Sequence, residues 1–186
     1  MPLAAVKQEQ ITEAFRSYLR KFAVPPYAND DARHLINGFA NDLGLPEDND
    51  FTVFTPISMT RRGSTIETHD AVSETSLLHE YVDLVVQVDC YSADRFAARD
   101  RAQAYELAGR STYGADHFRA YGLDLQYVDG LQNLTAPTDS GRYVPRWAVT
   151  FHLGFKRTLK IDQDGFRFVE VDLANVDVKF KPKEKQ

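Results

Sequence analysis

Cysteine is nearly absent from this chain: Cys90 is the single one in 186 residues. No disulfide can close within it, so nothing calls for an oxidising compartment. Long apolar runs are missing too, and none approaches the roughly 20 residues that a membrane-spanning helix needs. Met1–Gln10 shows no charged segment followed by an apolar one, the pattern that directs export. Without an export signal, the glycosylation sequon Asn133-Leu134-Thr135 carries no weight. Basic excess is lacking as well. The net charge is -5 and the pI about 5.5, whereas a surface built to grip nucleic acid carries the opposite balance. Catalytic signatures are absent: no phosphate-cradling loop, no Gly-x-Ser-x-Gly elbow, no His-Glu-x-x-His and no paired-cysteine zinc pattern. The expectation is a soluble intracellular protein that is not an enzyme and uses no cofactor.

What the chain does have is a folded composition, 43% hydrophobic and 26% charged residues, and strong periodicity. Its length fits one domain over 1–186 with a basic, frayed tail over 179–186. Ile11, Phe15, Tyr18, Leu19 and Phe22 recur at helical spacing and predict a helix over 8–22, which Val24-Pro25-Pro26 ends. Leu35, Ile36 and Phe39 fit a helical turn or a short strand, and 41–50 is turn-rich. A strand is predicted over 51–57. Arg61-Arg62-Gly63 is read as a loop, with a return strand over 64–70.

The clearest alternation runs over 77–91. Val82, Leu84, Val86, Val88 and Cys90 fall on one face, and Tyr81, Asp83, Val85, Gln87, Asp89 and Tyr91 on the other. Ser92 or Asp94 can cap a following helix that extends to about Thr112. Its side through Ala98, Ala102, Tyr105 and Gly109 is small and suited to lie on a sheet. Phe96 and Leu107 fall nearly opposite, so one of the two sides must face something other than the chain's own core. Further strands are predicted over 123–128 and 143–155. In the second, Tyr143, Trp147, Val149, Phe151, Leu153 and Phe155 share a face, and Pro145 fits an entry position. A polar loop spans 130–142. Asp164-Gly165 fits a hairpin turn between 157–162 and 166–172. The whole predicts an α+β fold, a mainly antiparallel sheet with flanking helices.

Several residues need weighing for chemistry. Cys90 on an apolar face is a buried small hydrophobe before it is a nucleophile. Trp147 on a dry face belongs to the core before it is a ligand platform. His79, Asp83, Asp89 and His152 share polar strand faces and would form a metal site only if their strands converge; a solvated face is the plainer reading. Arg61-Arg62 suits an acidic partner or a solvated loop, and the C-terminal lysines suit nucleic acid or a solvating tail. Phe96 with Leu107 suits a subunit contact or a second packing layer.

The segment "YVDLVVQVDCYSADRFAARDRAQAYELAGRSTYGADHF", followed by "GLDLQYVDGLQNLTAPTDSGRYVPRWAVTFHLGF", resembles the neck or tail-terminator proteins of long-tailed bacteriophages. The matching elements are the strand ending "QVDCY", the helix with "DRAQA" and the strand "YVPRWAVTFHL". Upstream "NDLGLPEDNDFTVFTPI" and downstream "FRFVEVDLANVDVKFKP" are similar to that family's flanking segments. Residues 24–34, the loop from Thr135 to Tyr143 and the end beyond Phe180 depart from its pattern.

The resemblance implies a structural protein of the virion neck, assembled in the host cytoplasm, in a ring expected to be hexameric at the head-proximal end of the tail tube. Such a ring ends tube polymerisation, and sheath polymerisation in contractile tails. It docks to head-completion or connector proteins and lets genomic DNA pass without specific binding. No catalytic residues come with the family. An acidic subunit suits a channel through which DNA must slide, since basic linings add phosphate contacts. Phe96, Leu107, Arg61 and Arg62 are the candidate subunit or partner interface. The competing readings are another tail-assembly component, in the tube or baseplate, and a small metal-dependent hydrolase using His79, Asp83 and His152.

Overall fold

The long alternation around Val82–Cys90 lies at the centre of a sheet. A computed structural model describes residues 3–4, 7–27, 32–39, 46, 49–70, 75–137 and 143–162. In chain order the elements are strand β1 (Leu3–Ala4), helix α1 (Gln8–Phe22), a 3-10 turn at Ala32–His34, and strands β2 (Leu35–Asn37), β3 (Phe51–Asp70) and β4 (Thr75–Tyr91). Helices α2 (Arg95–Gly109) and α3 (Thr112–Arg119) follow. Strands β5 (Asp124–Val128), β6 (Gln132–Asn133), β7 (Ala136–Pro137), β8 (Tyr143–Val144) and β9 (Arg146–Asp162) complete the described chain. The main sheet has the order β1-β9-β4-β3-β2, with β5 and β6 also paired to β9; β7 and β8 form a separate pair. All pairings are antiparallel except β2 with β3. The α+β architecture expected from the sequence is what the chain adopts.

Burial follows the alternation. Val82, Leu84, Val86 and Val88 on β4 are buried beside Phe155, Leu153, Phe151 and Val149 on β9. Helix α1 adds Ile11, Ala14, Phe15, Tyr18 and Leu19 to this face, and α2 adds Ala102 and Tyr105. Phe15, Tyr18, Phe118 and Phe151 form an aromatic cluster with ring centroids 4.9 to 6.0 Å apart, a range in which tilted and edge-on pairs add to area burial. Two tyrosines tie the helices reciprocally: Tyr18 Oη donates to the Tyr105 carbonyl at 2.8 Å and Tyr105 Oη to the Leu19 carbonyl at 3.0 Å. Helix α2 approaches the sheet closely because Gly109 has no side chain. A Cβ there would sit 2.7 Å from Val128 Cγ2 and 3.1 Å from Phe151 Cε1.

Three expectations are corrected. Arg61-Arg62-Gly63 is not a loop between strands, because β3 runs through it without leaving β4. The register shifts between Arg62 and Ile66, and Gly63 takes φ +76° there; the residues that suggest a turn instead make a bulge. The helix expected to extend to about Thr112 ends at Gly109, and a second helix that was not expected follows it. Ser111 ends the first by donating from Oγ to the Ala108 carbonyl at 2.6 Å, and α3 starts at Thr112. The polar loop over 130–142 includes the short strands β6 and β7, and 157–162 continues β9. Asp164-Gly165, the 166–172 run and the tail over 179–186 lie outside the described residues.

Candidate assembly surfaces

Three surfaces of the described chain carry chemistry that its own core does not use. The first is the outward side of α2. Asp94 caps this helix, its Oδ1 accepting from the Phe96 N–H at 2.9 Å, while Ser92 Oγ accepts from Asp94 N–H at 3.2 Å. Ala98, Ala102 and Tyr105 are fully buried. The opposite side holds Phe96, 55% exposed, and Leu107, 72% exposed, with Tyr113 of α3 at 74%. Phe96 and Leu107 lie three turns apart, about 16 Å, on the same side of the helix. The two-sided helix expected from the sequence is present, with exposed Asp100 and Gln103 between Phe96 and Leu107 on its outward side.

What fixes α2 in place was not foreseen. Arg101 is 1% exposed. Its Nη1 and Nη2 donate to the Asp50 carboxylate at 2.7 and 3.1 Å, its Nε to the Pro25 carbonyl at 3.2 Å, and its guanidinium lies 4.0 Å from the Tyr27 ring centroid. Burial is the largest influence and works against the charge, but the Asp50 bonds and charge together with Tyr27 and Tyr105 outweigh it, and the guanidinium is held more basic than usual. One side chain thus joins α2 to the segment after α1 and to the entry of β3. A signal existed: Arg101 falls three residues after Ala98 and four before Tyr105, on the buried side.

The second surface is the sheet face away from the helices, which is polar and internally paired. Asp89, buried, accepts from Gln87 Nε2 at 2.9 Å and from Arg146 Nε at 3.0 Å. Asp83 takes Gln126 Nε2 at 3.0 Å and both Arg62 Nη2 at 2.6 Å and Nε at 3.0 Å. The Gln126 bond first, and Arg62 with it, holds the Asp83 carboxyl below its ordinary range. His152 meets Asp129 at 3.0 Å and stacks on Tyr127, ring centroids 4.0 Å apart.

The third surface is an arm made by β3, β4 and β9 beyond the helices. Among the described residues, none of 57–69, 75–81 or 156–161 belongs to the core cluster. Ile57, Met59, Ile66 and Tyr81 are exposed along it. A cavity of about 240 Å³ lies between Leu78, Glu80, Arg157 and Leu159, with the Glu80–Arg157 ion pair at its wall.

The structure does not join Arg61 and Arg62 to Phe96 and Leu107: the first pair sits on β3, the second on α2, which packs on β4 and β9. Nor does it gather His79, Asp83 and His152. His79 Nδ1 meets Thr158 Oγ1 at 2.8 Å, while the other two have the separate partners above. No group of three or more His, Cys, Asp or Glu suited to a metal exists among the described residues. Cys90 is fully buried, takes a weak bond from Thr52 Oγ1 at 3.6 Å, and has its thiol pushed up to about 12 by burial; it is a core residue. Trp147 packs half-buried against the core with Arg99 over its ring at 5.9 Å. Among the described residues no helix is long and apolar enough to cross a membrane.

Comparison with known families gives one result. A family model described as phage neck terminator protein matches residues 9–184. No curated protein matches the chain.

Proposed function

From the chain's membership of the phage neck terminator family, we propose that it forms a ring, six copies closing the head-proximal end of the tail tube. A structural role in the neck of the virion tail follows from the family itself. The finer reading is that the ring stops tube growth, stops sheath growth where a sheath exists, and receives the head-completion proteins. The chain acts in it as one domain, and genomic DNA passes through the lumen unbound.

The observation that carries the reading is the outward side of α2. Phe96 and Leu107 are exposed there, opposite a buried side of Ala98, Ala102 and Tyr105 and on either side of exposed Asp100 and Gln103, and we take these two large apolar side chains as the points that a neighbouring copy covers. We assign these two residues to contacts between neighbouring copies, and Arg61 and Arg62, the latter also paired with Asp83, to a partner-facing edge. The net charge of -5 suits a conduit for DNA, because a lining without basic excess adds few phosphate contacts.

Native mass spectrometry of the chain, alone and mixed with tail-tube protein, tests this, with electron microscopy of the mixture. The expected result is a six-copy species and tubes capped at one end. A chain that stays monomeric with tubes present and is missing from virions overturns the proposal. A chain found at the far end of the tube makes it a baseplate component instead.

A further inference from the structure

The edge of β9 that faces away from β4 is filled unevenly. Strand β5 takes it as far as Gly154. From Lys156 to Asp162 that edge carries, among the described residues, only the two residues of β1, with Leu3 opposite Leu159 and Ala4 opposite Thr158. The backbone donors and acceptors along such an edge template another strand.

This stretch of β9 has two unlike faces. Leu159 lies opposite Leu78 and Arg157 opposite Glu80, beside the cavity of the arm and on the side that holds the core farther along the sheet. Lys156, Thr158 and Lys160 alternate to the other side, and both lysines are exposed.

The chain that follows supplies a matching strand. Strand β9 ends at Asp162, and the sequence continues as Gln163-Asp164-Gly165 and then Phe166 to Asp172, a run as long as Lys156–Asp162. A three-residue hairpin loop combines a type I turn with a left-handed residue, the place where Gly165 fits. That loop sets Asp162 against Phe166, and the register continues as Leu159 with Val169, Thr158 with Glu170, Arg157 with Val171 and Lys156 with Asp172. Val169 and Val171 then join Leu159 on the apolar side, and Glu170 and Asp172 fall among Lys156, Thr158 and Lys160. Next to the turn the match is weaker, with Arg167 opposite Ile161. A two-residue loop over Asp164-Gly165 would put Val169 and Val171 on the lysine side, because a slip of one residue exchanges the faces.

Turn chemistry, apolar pattern and charge select the same register. We infer that residues 166–172 dock on the outer edge of β9 as an added strand and displace β1, which holds two of the same positions. The edge is then a site for which two segments of one chain compete. With β1 in place most of the stretch stays available to another strand; with 166–172 in place it is closed. This holds whether or not the chain forms a ring.

Thr158 stands opposite Ala4 in one arrangement and opposite Glu170 in the other, so one cysteine reads both. Thr158→Cys is combined with Ala4→Cys, with Glu170→Cys and, as a register control, with Val169→Cys; Cys90 is buried and leaves the background clean. The purified full chain is oxidised mildly at low concentration, and the disulfides are located by peptide mass spectrometry. The expected result is closure within one chain for the Glu170 pair, faster than for the Ala4 pair, with the Val169 pair staying reduced. Closure of the Ala4 pair as fast or faster, closure of no pair, or a Val169 pair as fast as the Glu170 pair overturns the added strand. A Glu170 disulfide that joins two chains makes a second copy the source of the strand and overturns the proposal too. As a second measurement, Gly165→Val slows closure of the Glu170 pair about tenfold, the scale of forcing a side chain into the left-handed region; an unchanged rate overturns the hairpin.

Discussion

Strands β3, β4 and β9 each pass through two environments. Near Val82–Tyr91 of β4, one face is sealed by α1, α2 and α3, and side chains such as Phe151 and Leu84 are wholly buried. Near Thr75–Tyr81 the same ladder continues for about 23 Å with no residue in the core cluster. Backbone pairing alone gives a strand direction and a register. Side-chain burial decides how much the folded state depends on any one residue. The covered half should therefore respond steeply to substitution and the exposed positions of the arm hardly at all, Thr75 and Ser76 being buried.

The steepest response is expected of Phe151→Ala, which empties the centre of the aromatic cluster and costs about 3–5 kcal/mol, read as a lower urea midpoint at unchanged slope. Arg101→Ala follows at about 3 kcal/mol, because it removes a buried two-pronged ion pair to Asp50. Arg101→Lys should recover only part, since one ammonium cannot make the two-pronged contact. Both variants sharpen the contrast if the arm remains indifferent to them.

A smaller effect comes from Cys90. Its folded thiol is held up to about 12, so the unfolded chain releases this proton first as pH rises. The unfolded state then binds fewer protons, and stability falls with pH through the window from about 9 to 12. The loss between pH 8 and 10 should be about 1 kcal/mol, and Cys90→Ala should flatten that slope in denaturation series at the two pH values. Ile66→Ser on the arm should shift stability by no more than about 0.5 kcal/mol. A loss there approaching that of Phe151→Ala would break the contrast between the two halves.

Much of the covered half was legible in the sequence, because burial on one face writes a period of two into strands and 3.6 into helices. The helix over 8–22, the strand over 77–91 and the two-sided character of α2 all came from such periods. The bulge at Arg62–Ile66 was not legible. A turn and a bulge both recruit a glycine with positive φ, and only the register across β3 and β4 tells them apart. The end of α2 near Gly109 was legible to within a few residues, but α3 was not, because its eight residues are too short to show a clear helical period. Arg101 was overlooked because its partners Pro25, Tyr27 and Asp50 lie 51 to 76 residues away in the chain. Of the candidate interface, the exposure of Phe96 and Leu107 followed from the hundred-degree step. The order of strands in the sheet is contained in no local pattern.

The sheet order also sets a timetable for synthesis. Strand β4 ends at Tyr91 and its partner β9 begins only at Arg146, with both later helices and β5 between them. At about 5–20 residues per second, β4 leaves the ribosome roughly 3 to 11 s before the strand that will cover its second edge. During that interval the β3–β4 hairpin holds Val82, Leu84, Val86 and Val88 beside an open edge, the kind of surface that nascent chains use to aggregate. Helix α1, already made, is the one long element available to shield that face. Its aromatic residues Phe15 and Tyr18, which belong to that core in the finished fold, are already synthesised when the hairpin emerges.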